Sequence, residues 1–304
     1  MRVREYKNVI RNQRNENKQN KQYHYSSLDA IMSIFKHKEL WLTKSEYLND
    51  ISEIKYARRI AKKVRDQAKI NYQDDDLLMK LLEDCNDEIF DKGIDSYILS
   101  MSMNADSLPL WSNCSNQDGY CIGFDRSFIS VLDRLTDSAF QNIHGFVIYD
   151  PIEQEKILSE EISIAFDIWK EHGDGKPGNE LNYLWNHIIR TFYIYSLFFK
   201  DPSFRSEEEY RVVVLMNKKR QYGGHFINSN EVSSDHIHFR SKNGAIVPYI
   251  KLPITHDDEK IPLKSISIGP RNNLNISAEG LRYYLNYNKY ENCEINKSII
   301  PLRY

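Results

Sequence analysis

Glu207, Glu209 and Arg211 stand at every second position in FRSEEEYRVVVLM, Phe204 to Met216. In a strand beginning near Glu207, alternation puts these three on one face with Val213 and Leu215. Glu208, Tyr210, Val212 and Val214 then take the other. Two carboxylates and a guanidinium in a row can do chemistry. Arg211 can hold one glutamate ionised and oriented, leaving the other to accept a hydrogen bond or stabilise a developing positive charge. The same spacing fits a solvated strand end with a surface ion pair, a weakly stabilising feature, and on spacing alone that reading is the commoner one.

Other residues carry weaker signals. His24, in YHYSS, ends a short strand just before a helix N-terminus, where an imidazole can donate to a bound hydroxyl or phosphate. Packing between two tyrosines is its structural alternative. Cys114 has no local histidine to activate it as a nucleophile. His236 and His238 share a face of one strand but lack a third ligand at evident spacing, so a plain strand face is favoured over a metal site. Asp50, Glu53 and Lys55 are the residue types of a metal-dependent nuclease, yet that core needs its E-x-K on a strand and here it opens a helical run. No Walker lysine, G-x-G-x-x-G or H-E-x-x-H is present.

The elements that must position these groups follow from periodicity and turn chemistry. Tyr23 to Tyr25 reads as a strand. Ser26 or Ser27 caps a helix with Asp29 in its first turn, and Leu28, Ile31, Met32 and Phe35 fall on one face. Glu39 to Thr43 reads as the next strand. A charged helical region runs from Asp50 to Asp91, with strands at Ser96 to Met103, Gly119 to Asp125 and in HGFVIYD. Residues 151–200 read as two helices interrupted at His172 to Glu180. Asn243-Gly244 between two apolar runs is the strongest hairpin signal. LKSISIGP is a strand, followed by a helix near Ser277 to Tyr287 and a last strand near Glu294 to Ile300.

The bulk numbers set limits on partners. With 304 residues and 41% hydrophobic content the chain can bury a sizeable core. Its 41 basic and 43 acidic residues leave a net charge of -2, which argues against a nucleic-acid-binding field over the whole surface. Four cysteines without a C-x-x-C pair suggest reduced thiols, and no apolar run is long enough to span a bilayer. A cytoplasmic protein that does not engage a membrane is expected. Residues 1–22 read as a flexible basic arm, which can order on a neighbouring subunit of a homo-oligomer or on an anionic partner.

The motif order YHYSS…KELWL…LND, LPLWSNCSNQDGYCIGFD, F-x-x-E-x-E-Y-R and a late IGP resembles a widespread bacterial family known only as a domain of unknown function. The similarity runs from about Tyr23 to Leu302. That family often has a histidine before the G-[FY]-C-I run; here Gln117-Asp118 stand there, and no role for it carries over. More loosely, a strand histidine, a strand–helix–strand opening and a later strand glutamate resemble the ADP-ribosyltransferases. That resemblance implies His24 on ribose hydroxyls, Glu209 as the catalytic carboxylate with Glu207 upstream, and Tyr47 or Trp41 stacked on nicotinamide. Tyr25, Ser26 and Arg211 would complete the nucleotide-binding set.

The expected fold is α+β, with one mixed or antiparallel β core; the looser resemblance implies that this core is of the ADP-ribosyltransferase type. It would form a single domain over 23–304 with helical insertions at about 52–92 and 151–200. The expected function is an NAD-consuming enzyme, an ADP-ribosyltransferase or NAD glycohydrolase, of the kind that serves in phage defence or toxin systems. NAD would be substrate, with no metal, and the acceptor, protein or nucleic acid, stays open. A non-catalytic nucleotide- or protein-binding module is the second reading, and the metal-dependent nuclease the third.

Overall fold

The computed structural model describes residues 21–48, 52–84, 94–114, 119–125, 127–134, 141–172, 179–217, 221–222, 225–226, 236–242, 244–255, 260–272 and 274–301. The basic arm up to position 20, Asp50, Gln117, Asp118, Asn243 and most of the break at 172–180 lie outside them. Twelve strands are described: β1 (Tyr23–Ser26), β2 (Glu39–Lys44), β3 (Ile94–Ser102), β4 (Tyr120–Phe124), β5 (Gln141–Phe146), β6 (Glu209–Asn217), β7 (Gln221–Tyr222), β8 (His225–Phe226), β9 (His238–Lys242), β10 (Ala245–Pro253), β11 (Leu263–Ile268) and β12 (Glu294–Lys297). The described α-helices are α1 (Leu28–His37), α2 (Ser52–Asn71), α3 (Asp76–Asp84), α4 (Leu108–Cys114), α5 (Ser127–Arg134), α6 (Pro151–His172), α7 (Asn179–Ser196) and α8 (Leu274–Tyr287).

These residues group into two compact units. The first takes the described parts of 1–47, 95–146 and 206–304. Its sheet has the order β12-β11-β4-β1-β3-β2-β10-β9, with β6 added on β3 and β5 on β6. Pairing is mostly antiparallel, with β11 and β12 parallel. The fold is α+β. One face of this sheet is apolar: Leu40, Leu42, Leu99, Met101, Ile122, Phe124, Val212 and Ile266 pack with residues from α1, α5 and α8.

Helix α1 shows how local rules feed that core. The Ser27 side chain accepts a hydrogen bond from Ala30 N at 3.4 Å, Asp29 sits in the first turn, and left-handed Lys38 closes the end onto Ile34 O. Ile31, Ile34 and Phe35 are buried, whereas Leu28 and Met32 are exposed. The expected stripe is therefore corrected: the buried face is centred on Ile31, between Ile34 and Phe35, and the helical repeat rotates Leu28 and Met32 away from the sheet. The β9–β10 hairpin forms as the sequence suggests, with Lys242 opposite Ala245 and Gly244 at φ 78°.

The second unit takes the described parts of 48–94 and 147–205, so it holds α2, α3, α6 and α7. Tyr56, Ile60, Val64, Leu78, Leu158, Phe166, Ile188 and Phe192 form its core. Gln154, fully buried, ties its backbone together by donating to the carbonyls of Ile148 and Lys200 and accepting from the Tyr56 hydroxyl.

Two glycines of the sequence motifs have packing reasons. A Cβ on Gly123 would lie 2.4 Å from Ser265 Oγ and 2.9 Å from the Tyr23 ring. One on Gly269, in the IGP motif, would lie 2.7 Å from the Gly119 carbonyl and 3.0 Å from the Trp111 ring. The Gly119 contact is with backbone, which cannot swing away. Gly269→Ala is therefore expected to lose about 1–3 kcal/mol through overpacking, read as a lowered midpoint in urea unfolding; an unchanged midpoint would show that the contact relaxes freely.

Candidate functional site

The site is built around the middle of β3. Strand β1 pairs with β4 along all four of its residues, Tyr23–Gly123 to Ser26–Tyr120. Its register with β3 rests on the single pair Tyr23–Ser102. On the other side, β2 meets β3 at Thr43–Ile98 and Lys44–Tyr97. Between these two pairings lies Ser100, exposed although its neighbours Leu99 and Met101 are buried. A polar residue open to solvent in the middle of a sheet strand marks a place where no apolar layer covers it.

His24 lies beside this stretch. Burial holds its pKa down to about 4; the nearby Ser100 backbone opposes the shift, and the positive charge of Arg240 adds to it. The imidazole is therefore neutral near pH 7. Its Nδ1 is buried and has no hydrogen-bond partner, although the residue as a whole is half-buried.

Arg240 approaches from the hairpin. Its Nη2 donates to Thr43 Oγ1 at 2.7 Å, and Thr43 is the residue paired with Ile98 of β3. The guanidinium carbon lies 5.6 Å from the Trp41 ring centroid and 5.7 Å from that of Tyr249. These two rings are stacked at 4.3 Å, and His238 lies 5.5 Å from Tyr249 on its other strand neighbour. Strand registers explain the cluster: Tyr249 is opposite both Thr43 and His238, Lys251 opposite Trp41, and Val247 opposite Arg240, so all face the same way. Trp41 Nε1 donates to Glu39, which also pairs with Lys251 at 3.1 Å. Arg240, by contrast, has a buried Nε without a partner, and burial lowers its pKa.

The glutamate run is arranged differently from the spacing argument. Glu207 closes a 3-10 helix, Pro202–Glu207, and Glu208 has φ 43°, so the strand starts only at Glu209. Glu207 therefore does not share a strand face with Glu209 and Arg211. The rest of the expectation stands in the geometry: Arg211 Nε donates to Glu209 Oε1 at 2.7 Å and Nη2 to Oε2 at 3.0 Å, with both side chains buried.

The end of β3 ties the two regions together. Ser102 Oγ donates to the Glu207 carbonyl, Met103 N to the Glu208 carbonyl, and Asn104 Nδ2 to the Glu208 carboxylate. The same Asn104 accepts, through its carbonyl, the hydroxyl hydrogen of Tyr25 at 2.7 Å. Tyr25 also accepts from Ser107 N, packs edge-on against Trp111 at 4.7 Å, and has its pKa raised by burial. Its ring serves a small packing cluster with Trp111 and Cys121. Ser26 is the half-buried last residue of β1, and Tyr47 ends a 3-10 turn with its ring exposed.

The motif residues around this cluster are now placed. Trp111 donates to Asp106, which also accepts from Ser298 Oγ and Ile299 N. Trp111, Gly119, Gly269, Cys121 and Tyr25 thus form one packed knot. Residues 110–212 match the family model described as a protein of unknown function, DUF2971. No curated protein and no solved structure matches the chain. The DUF2971 segment includes Trp111, the β4 run and the Glu209–Arg211 pair, whereas His24, Trp41, Arg240 and Tyr249 lie outside it.

The nuclease arrangement is not formed. Glu53 and Lys55 lie in α2, not on a strand, and Glu53 pairs with the buried Lys200 at 3.0 Å. His236 precedes β9 and is exposed, so it does not share a strand face with His238. Among the described residues no group of three or more His, Cys, Asp or Glu side chains is close enough to hold a metal ion. Sequence reasoning missed Arg240, Tyr249 and Thr43. The Asn243-Gly244 turn could have put Arg240 and Tyr249 on one face, but nothing local pairs that hairpin with β2.

Proposed function

We propose that the chain is an NAD-consuming enzyme, of the ADP-ribosyltransferase or NAD glycohydrolase type. The observation that carries this reading is the neutral His24, with a buried Nδ1 free of partners, beside Ser100 of β3, where β1 and β3 pair at the single position Tyr23–Ser102. A neutral imidazole has one donor and one acceptor; the Ser100 backbone engages one ring nitrogen, and the unpartnered Nδ1 is the group left to meet a ribose hydroxyl. In the glycohydrolase reaction the C1′–N bond breaks, its electron pair leaves with nicotinamide, and positive charge develops on the ribose. Water adds at C1′ and releases a proton, giving ADP-ribose. A carboxylate near C1′ is worth several kcal/mol to such a transition state. Glu207 and Glu209 are the carboxylates assigned to that task, with Arg211 holding Glu209 ionised.

Incubation with NAD is expected to release nicotinamide, and Glu209→Gln to slow release at least ~100-fold, the scale of a lost electrostatic group. A wild type that leaves NAD intact across candidate acceptors would overturn the reading. One observation favours a second reading, a non-catalytic nucleotide-binding module. Both Glu209 oxygens are already held by Arg211, so the pair can serve structure alone. On that reading Glu209→Gln lowers stability and leaves nucleotide affinity unchanged.

A further inference from the structure

Helix α8 has two apolar sides, and the core takes only one of them. Leu281 and Leu285 are buried in the core of the first unit, Ala278 packs against it, and Tyr284 lies edge-on to Phe35. Ile276, Tyr283 and Tyr287 are on the other side, 69%, 78% and 80% exposed. With Gly280 they stand at successive spacings of four, three and four residues. That is the a/d repeat by which one helix packs along another. A helix that serves only its own core shows charged and polar residues on its outer side. Here Glu279 is the one charge on that side, with Asn275 and Asn286 beside it.

Gly280 is an independent observation. Glycine inside a helix is unfavourable relative to alanine, because its backbone gives up more freedom on folding. Gly123 and Gly269 are explained by close packing and Gly244 by its positive φ. Gly280 has neither: a Cβ there would meet nothing within 4 Å, and its backbone is ordinary helix. Nothing within one copy of the chain calls for glycine at this position. Its effect is a notch in the exposed seam, one turn from the Tyr283 ring.

We propose that α8 pairs with α8 of a second copy of this chain, antiparallel about a two-fold axis at the middle of the seam. Each Tyr283 enters the notch at Gly280 of the other copy, and each Ile276 lies against the other Tyr287. The surface is thus complementary to itself, as a two-fold interface requires. A parallel pair would set glycine against glycine and tyrosine against tyrosine, alternating a void with a crowded layer, and would align the two helix dipoles. In the antiparallel pair Glu279 comes opposite the Asn286 amide, so no like charges meet. Tyrosine suits this contact, since its ring is large and rigid and its hydroxyl can stay wet at the rim. Four tyrosines able to bury about 150–250 Å² each, with two isoleucines, reach the ~1,000 Å² at which specific interfaces begin. The dimer therefore belongs to the weak, concentration-dependent class.

Sedimentation of the full-length chain from about 1 to 200 μM tests this, with half-dimerisation expected on the order of 10 μM, the affinity of a small interface. Tyr283→Glu puts a charge into each notch and is expected to weaken association at least ~10-fold. Gly280→Gln fills the notch with a good helix former and is expected to do the same, whereas Tyr283→Phe keeps the ring and should associate like the wild type. Both positions are exposed, so all three variants should keep the wild-type circular dichroism. A wild type that stays monomeric over this range would overturn the pairing, and so would a dimer indifferent to Tyr283→Glu and Gly280→Gln. Loss in Tyr283→Glu with none in Gly280→Gln would overturn the seating of Tyr283 in the notch. A monomer whose Tyr283 and Tyr287 resist nitration would assign the seam to a segment of the same chain, such as residues 1–20, and would overturn the pairing as well.

Discussion

Arg211→Met is expected to lose about 3–5 kcal/mol of stability, the range for removing one partner of a buried ion pair. Glu209 and Arg211 are among the most buried charged residues of the first unit, at 4% and 2% exposure. Each Glu209 oxygen receives a hydrogen bond from the guanidinium. Taking the guanidinium away removes two charge-assisted hydrogen bonds from a buried carboxylate, and the loss of that counter-charge is what destabilises. Arg211→Lys keeps the charge but cannot bond both oxygens in the same plane, so an intermediate loss is expected. The double change Glu209→Leu with Arg211→Met should lose much less than the sum of the single changes, because the stranded charge goes with its partner. Urea unfolding of the four chains measures the coupling. Additive losses would show that the two side chains act independently and that the bidentate pair is not what holds the start of β6.

How much of this could be read from the chain follows from which contacts are local. The i, i+2 relation of Glu209 and Arg211 is a property of any strand, and it appears as spacing implies. Extending it to Glu207 failed because alternation holds only inside a strand, and Glu208 takes a left-handed conformation with Asn104 on its carboxylate. Nothing in three consecutive glutamates signals where the strand begins. The hairpin at Gly244 and the cap at Ser27 were legible because the residue type itself dictates the backbone. The Leu28 and Met32 error arose because a ten-residue helix buries a stripe narrower than its apolar set. Arg240 was out of reach for another reason. Its partners, Thr43 and Trp41, lie about 200 positions earlier and meet it through β10, a pairing no local pattern encodes. The motifs carried packing as much as chemistry: Gly123 packs against Ser265 and Tyr23, and Gly269 against Gly119 and Trp111, with little room for a side chain at either.

His24 should make stability depend on pH in a window set by its two pKa values. The folded value is about 4, against 6.5 for the free side chain. A depressed value means that the unfolded chain binds the proton first as pH falls. Between pH 6.5 and 4 the unfolded state therefore holds more protons, and stability drops with falling pH. The contribution is fully present above pH 6.5 and gone below pH 4, and it amounts to at most about 3 kcal/mol, since the half-buried residue keeps some exposure. Carboxylates titrate in the same range, so the measurement is a difference: the unfolding free energy of wild type minus that of His24→Gln, followed from pH 7.5 to 4. The difference should be flat above pH 6.5 and slope below it. Arg240→Gln should shallow the slope, because one of the two causes of the depression is that guanidinium, while burial, the larger cause, remains. Parallel curves for wild type and His24→Gln across the window would mean that the imidazole protonates freely in the folded chain. In that case it would carry a positive charge beside Arg240 in mild acid, and the neutral donor–acceptor role at a sugar hydroxyl would have no physical basis there.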